Sequence, residues 1–148
     1  MSNPLTLTRL APVIKELLAA GQDVSFFPDG TSMLPYLHPN TDKIILRSAP
    51  AKLCKYDIPL YIRANGSLIL HRIVDTSGDT YTMCGDNQAV IERDIKSEQI
   101  VGVVKGFYRG ERFIVPRGMK YFLYCRTLCL RRQFIKLKFL LNKKQPMN

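Results

Sequence analysis

The sequence predicts a mainly β protein with one helix at each end, and three observations carry that prediction. Short runs rich in Val, Ile, Phe and Tyr, punctuated by Gly, Pro, Asn and Asp, fill residues 24 to 115. An amphipathic stretch of period 3.6 precedes them, and a segment of helical length follows from Met119. The 148 residues, 46% hydrophobic and 23% charged, suffice for one domain with its own core.

In "TRLAPVIKELLAAGQD" the apolar residues Leu10, Val13, Ile14, Leu17 and Leu18 recur at i, i+3, i+4, i+7 and i+8. With Thr8 as N-cap and Gly21 as the C′ residue, this predicts a helix over residues 8–20, with Pro12 confined to its first turn. The strand runs then follow as "VSFF", "KIIL", "IPLYIR", "SLILHRIV", "TYTMC", "IVGVVKGFYR" and "RFIV". "RANGS" reads as a turn in which Asn65-Gly66 supplies positive φ, and "DTSGD" as a hairpin connection. Pro59 marks its own run as an edge strand or a bulge. From Met119 to Leu141 the pattern is helical in length, but its apolar and basic residues segregate poorly on a helical wheel. The expected organisation is a β domain over residues 1–118 and a basic helical tail over 119–148.

Charge is concentrated at one end. Residues 1–118 hold 14 basic and 12 acidic side chains, whereas residues 119–148 hold eight basic and none acidic, so the tail accounts for most of the net +10. That asymmetry suits an anionic surface met by the tail, and two readings stay open: contact with a membrane surface, or packing on the body or on a second subunit. The near-neutral body argues against nucleic acid as the partner. The four cysteines have no paired spacing and only two histidines to join them, so no metal site, disulfide framework or cofactor is expected. No run reaches the ~18 apolar residues of a membrane span, and "MSNPLTLTRL" lacks the pattern of a secretory signal. A cytoplasmic location, with the tail allowing contact at the inner face of the membrane, is the expectation.

The stretch "GTSMLP", Gly30 to Pro35, sets a hydroxyl in a tight turn. A serine attacks a carbonyl only with a base to take its proton and donors for the oxyanion. His38, in the proline-flanked "LHPNTD", reads as a solvated turn residue. His71, in the most apolar run, is costly to bury unless its ring nitrogens find partners. "CGDN" suits a turn.

In their order and approximate spacing, "GTSMLP", "YDIPLY", "HRIV", "GDN" and "IVGVVKG" resemble the catalytic domain of type I signal peptidases. The likeness is to the branch with a Ser/His pair, typical of the endoplasmic reticulum, archaea and some Gram-positive bacteria. It covers roughly residues 24 to 108. It implies the coiled, partly open β-barrel shared with SOS-repressor autoproteases, with Ser32 as nucleophile, His71 as general base and then acid, and Asp86 as the carboxylate behind the imidazole. The second acidic residue of the pattern falls on Asp94 by context and on Glu92 by distance. The Ser32 amide is the expected oxyanion donor, with Gly30 and Thr31 giving backbone access, while Met33 and Pro35 are implied in apolar substrate subsites. The chain departs from the pattern at Tyr56, which replaces a glycine, at Pro59, and in having no membrane anchor.

The expected activity is therefore that of a serine endopeptidase acting on a leader or signal peptide. A peptide-binding or regulatory module of the same fold, without turnover, is the alternative.

Overall fold

The computed structural model describes residues 4–142 and is mainly β, with a helix at each end. The first helix, α1 (Pro4–Ala19), starts earlier than expected. Thr8 lies inside it rather than capping it, and so does Pro12. Pro12 is tolerated there because it sits on the exposed side, where the carbonyl deprived of its usual N–H donor can bind water. The C-terminus ends as the sequence indicates. Gly21 has φ 79°, and the amides of Gly21 and Gln22 bond back to the carbonyls of Leu18 and Leu17, which closes a Schellman cap.

One sheet contains β1 (Val24–Phe26), β2 (Asp42–Arg47), β3 (Pro59–Ile62), β4 (Leu68–Leu70), β8 (Ile100–Arg109) and β9 (Arg112–Ile114). Its order is β1-β2-β8-β3-β4, with β9 also on β8, and every pairing is antiparallel. The sheet curls into a half-barrel, so its two edges, β1 and β4, approach each other beneath α1. In β2 the residues Asp42, Ile44 and Leu46 are buried and alternate with more exposed ones, the period-2 signature of a strand with one face on the core.

β3 is an interior strand, between β8 and β4, and not an edge. Pro59 is accommodated as its first residue, and a register shift against β8 follows at Leu60/Tyr61. In the β3–β4 turn Gly66, and not Asn65, takes positive φ, while the Asn65 side chain accepts the Ser67 amide.

The apolar run "SLILHRIV" is not one strand. It breaks at His71, where the chain leaves β4 and enters β5 (Arg72–Ser77) of a second sheet completed by β6 (Thr80–Cys84) and β7 (Glu92–Lys96). β7 is absent from the strand runs expected from sequence, because "ERDIK" carries one apolar residue in five. Tyr61, Ile73, Tyr81, Met83, Ile95 and Val103 form the core between the sheets. A second core, with Leu18, Met33, Leu37, Ile44 and Phe107, lies under α1.

The last element, α2 (Met119–Asn142), docks on the body through Tyr121, Tyr124, Cys125 and Leu128. Residues 143–148 of the basic tail lie outside the described residues.

Candidate active site

The "GTSMLP" turn is anchored from below. Met33 and Leu37 are buried, and the Leu37 amide bonds to the Met33 carbonyl at 3.0 Å, so the turn folds as a short coil over the core. Ser32, just before the first anchor, remains half-buried. With Pro28, Asp29, Gly30, Met33 and residues Leu68–Leu70 of β4, it lines a small cleft of about 90 Å³. Thr31 and Pro35 are exposed, and neither lines that cleft. Gly30 has φ 81°, and its amide bonds the Asp29 carboxylate at 2.8 Å.

The "GDN" segment clamps this turn from the side. The Asn87 amide donates to the Ser32 carbonyl at 2.8 Å, and the Asn87 side chain donates to the Thr31 carbonyl at 3.3 Å. The approach is so close that a Cβ on Gly85 would lie 2.7 Å from the Ser32 carbonyl oxygen. Cys84 pairs with Arg72 in the β5–β6 ladder. His71 and Gly85 are the residues next beyond that terminal pair. The segment that contacts the Ser32 carbonyl thus begins one residue beyond the strand pair that His71 leads into.

His71 is 2% exposed, at the corner where the chain changes sheets. Its Nδ1 lies 3.3 Å from the Tyr61 hydroxyl and 3.3 Å from Glu92 Oε1. Tyr61 donates its single proton to the same carboxylate oxygen at 2.8 Å. Nδ1 is then assigned as the protonated nitrogen, donating to the Tyr61–Glu92 pair, and Nε2 carries the basic lone pair. Arg63 completes the arrangement, holding Glu92 with two bonds of 2.7 and 2.5 Å.

Burial pushes the His71 imidazole below its ordinary value of 6.5, with Glu92 opposing part of that fall. For Glu92 itself burial acts upward, but bonds from Arg63 and Tyr61 outweigh it and hold the carboxyl below its ordinary range. The pair is thus a neutral imidazole backed by an ionised carboxylate near pH 7.

The carboxylate that holds His71 is Glu92 and not Asp86. Asp86 is 2% exposed and is engaged by Arg72 through bonds of 2.8 and 2.6 Å, with a third from the Tyr124 hydroxyl at 2.9 Å. Arg72, wholly buried, is boxed by the rings of Tyr36, Tyr121 and Tyr124, with centroids 4.9 to 5.5 Å from its guanidinium carbon. Tyr121 also bonds Arg72 and the Tyr56 carbonyl. Asp86 therefore fixes α2 and the "GDN" turn rather than the imidazole. Asp94 is exposed, with φ 58°, has no bond to the ring, and lines a surface depression together with Arg63, Glu92 and Arg93.

His38 is a turn residue: its amide donates to Asp42 at 2.8 Å, and its side chain is 40% exposed. The four cysteines are free thiols, Cys84 and Cys125 buried, Cys54 and Cys129 exposed. At Tyr56, where the resemblance expects glycine, the backbone keeps φ 80°. The tyrosine therefore occupies a left-handed conformation that glycine would adopt without strain.

An apolar groove of about 410 Å³ adjoins the Ser32 cleft and shares Pro28, Asp29, Leu68 and Leu70 with it. Val24 and Phe26 of edge β1 and Leu68 and Leu70 of edge β4 form two of its walls, and α1 forms another. Tyr61 and Arg63 are the site residues that sequence reasoning did not single out, and Glu92 is the one of its two second-acid candidates that reaches the ring. No protein-family model and no curated protein matches this chain.

Proposed function

We propose that this chain is a serine endopeptidase of the signal-peptidase kind, with Ser32 as nucleophile and His71 as base. The observation that carries the reading is the arrangement around Gly85. The segment that touches the Ser32 carbonyl follows directly on the strand pair entered from His71, a buried histidine whose Nδ1 is committed to Glu92 and Tyr61.

In the proposed reaction, Nε2 of His71 takes the proton from the Ser32 hydroxyl as Oγ attacks the scissile carbonyl. Glu92, through Nδ1, stabilises the imidazolium that forms. His71 then gives that proton to the departing amine, which leaves an acyl-Ser32 ester. Water, deprotonated by the same imidazole, releases the acid and restores Ser32. The Ser32 amide has no acceptor among the described residues, whereas its carbonyl is already bonded, and this favours it as an oxyanion donor.

The substrate best suited to the groove is an extended chain. Both walls contributed by the sheet are free strand edges, which can take a peptide by main-chain hydrogen bonding while apolar pockets receive alternate side chains. A leader or signal peptide with small or apolar residues before the cleaved bond matches that shape. The test is digestion of a defined mixture of unstructured peptides by the purified chain, with products identified by mass spectrometry. Cleavage at apolar or small positions, absent with Ser32→Ala, is expected. Tight peptide binding without any cleavage would instead establish the binding module.

A further inference from the structure

α2 has two apolar faces, and only one is covered. Successive helical residues turn by about 100°, which puts Tyr121, Tyr124, Cys125 and Leu128 on the side that packs on the body. On the opposite side Met119, Leu123, Leu130, Phe134, Leu137 and Leu141 fall within a sector about 60° wide. These six are 53% to 72% exposed, with Phe134 at 71%. Two opposed stripes cancel in any measure of amphipathicity, which is why the segment reads as poorly segregated in sequence.

The border of the outer stripe is basic. Lys120, Arg131 and Lys138 line one side, Arg126 the other, and α2 contains no acidic residue. Lys143 and Lys144, outside the described residues, extend the run in sequence.

We propose that this outer face of α2 lies on an anionic lipid surface. An apolar stripe sunk among acyl chains, with lysines and arginines at headgroup level, is the pattern of a helix lying in the bilayer interface. Charge decides against a second copy of the helix as occupant. A homodimeric seam along the stripe would bring like-charged borders together, with no carboxylate on either helix to relieve them. The 24 residues of α2 would extend about 36 Å along the membrane plane, and no described helix is long and apolar enough to cross it. This inference is independent of whether Ser32 is a nucleophile.

The test is co-sedimentation of the full chain with vesicles of phosphatidylcholine containing 30% phosphatidylglycerol, and with vesicles of phosphatidylcholine alone. Wild type is expected to partition at least about tenfold more strongly onto the anionic vesicles, and less strongly at high salt. Phe134→Ser with Leu137→Ser, two exposed positions whose change leaves the body intact, should lower that partitioning at least about tenfold. Light scattering should find the wild type monomeric, and circular dichroism should find the variant folded. No sedimentation with anionic vesicles, or sedimentation unchanged in the double variant, overturns the proposal. So does a wild-type dimer that the double variant converts to monomer.

Discussion

A carboxylate that orients a histidine also sets the pH at which that histidine can accept a proton. Glu92 raises the affinity of His71 for a proton, whereas burial lowers it and wins. Activity should therefore rise with pH through a midpoint below 6.5 and then level off. In Glu92→Gln that opposing charge is gone, so the midpoint should move further down while the plateau rate falls roughly 10²-fold or more. A pH–rate profile of both proteins reads the two effects separately. A drop in rate with an unmoved midpoint would mean that Glu92 does not act on the ring. Asp86→Asn should behave differently. It leaves Arg72 buried beside a neutral amide, and breaking a buried pair costs about 3–5 kcal/mol, so denaturant unfolding should show a large loss of stability. Gly85→Ala should displace the Ser32 turn, because the added methyl meets a backbone oxygen at 2.7 Å. A stability cost of about 1–3 kcal/mol and a loss of Ser32 reactivity are expected together. Ser32 and His71 stood out as candidates in the sequence, since a hydroxyl in a tight turn and an imidazole in an apolar run are each local anomalies. The sequence assigned Asp86 to the imidazole and left Glu92 and Asp94 as alternatives for a second acid, because the choice depends on bulges that residue spacing does not count.

Those bulges act at the scale of the elements. Register shifts in β5–β6 and β6–β7 bring Met83 opposite both Ile73 and Glu92, and the left-handed Asp94 turns the following chain so that Ile95 returns to the core. Alternation alone cannot reveal them. The same limit explains why "SLILHRIV" was read as one strand: its hydrophobicity is continuous, although its hydrogen bonds pass from one sheet to the other at His71. Long or well-punctuated elements were legible. β8 carries ten residues in the central position of its sheet, and Gly21 ends α1 at the place the sequence indicates. α1 began earlier than its pattern implied, since Pro12 on an exposed side need not begin a helix. In α2 the sequence left packing and surface contact as alternatives, and its first turns pack on the body while its opposite face stays exposed.

At the scale of the whole molecule, the titrating groups set the pH range of stability. His71 is depressed below 6.5 chiefly by burial. Glu92 and Asp42 are held below their ordinary values because bonds from Arg63 and Tyr61, and from Arg109 and the His38 amide, outweigh the upward effect of burial. For all three the unfolded chain binds more protons than the folded one, so their contribution is complete above 6.5 and is lost as pH falls. On the alkaline side burial pushes the Tyr36 hydroxyl from 10.0 up to about 12, a contribution that is complete below 10 and fades as pH rises. Burial likewise raises the Cys84 and Cys125 thiols above 9.0, so the denaturant midpoint should be level between about pH 7 and 8 and decline both on acidification and above about pH 9. A midpoint that rose between pH 7 and 5 would contradict these assignments. The central claim, an activated serine on this framework, is tested most directly by acylation. The purified protein would be treated with fluorophosphonate and β-lactam-type probes and mapped by mass spectrometry, alongside Ser32→Ala and His71→Ala. The account predicts an adduct on Ser32 that is absent from Ser32→Ala and at least about 10³-fold slower to form in His71→Ala. Folded wild-type protein that no probe labels, or an adduct on Ser32 that forms equally fast without His71, would contradict it.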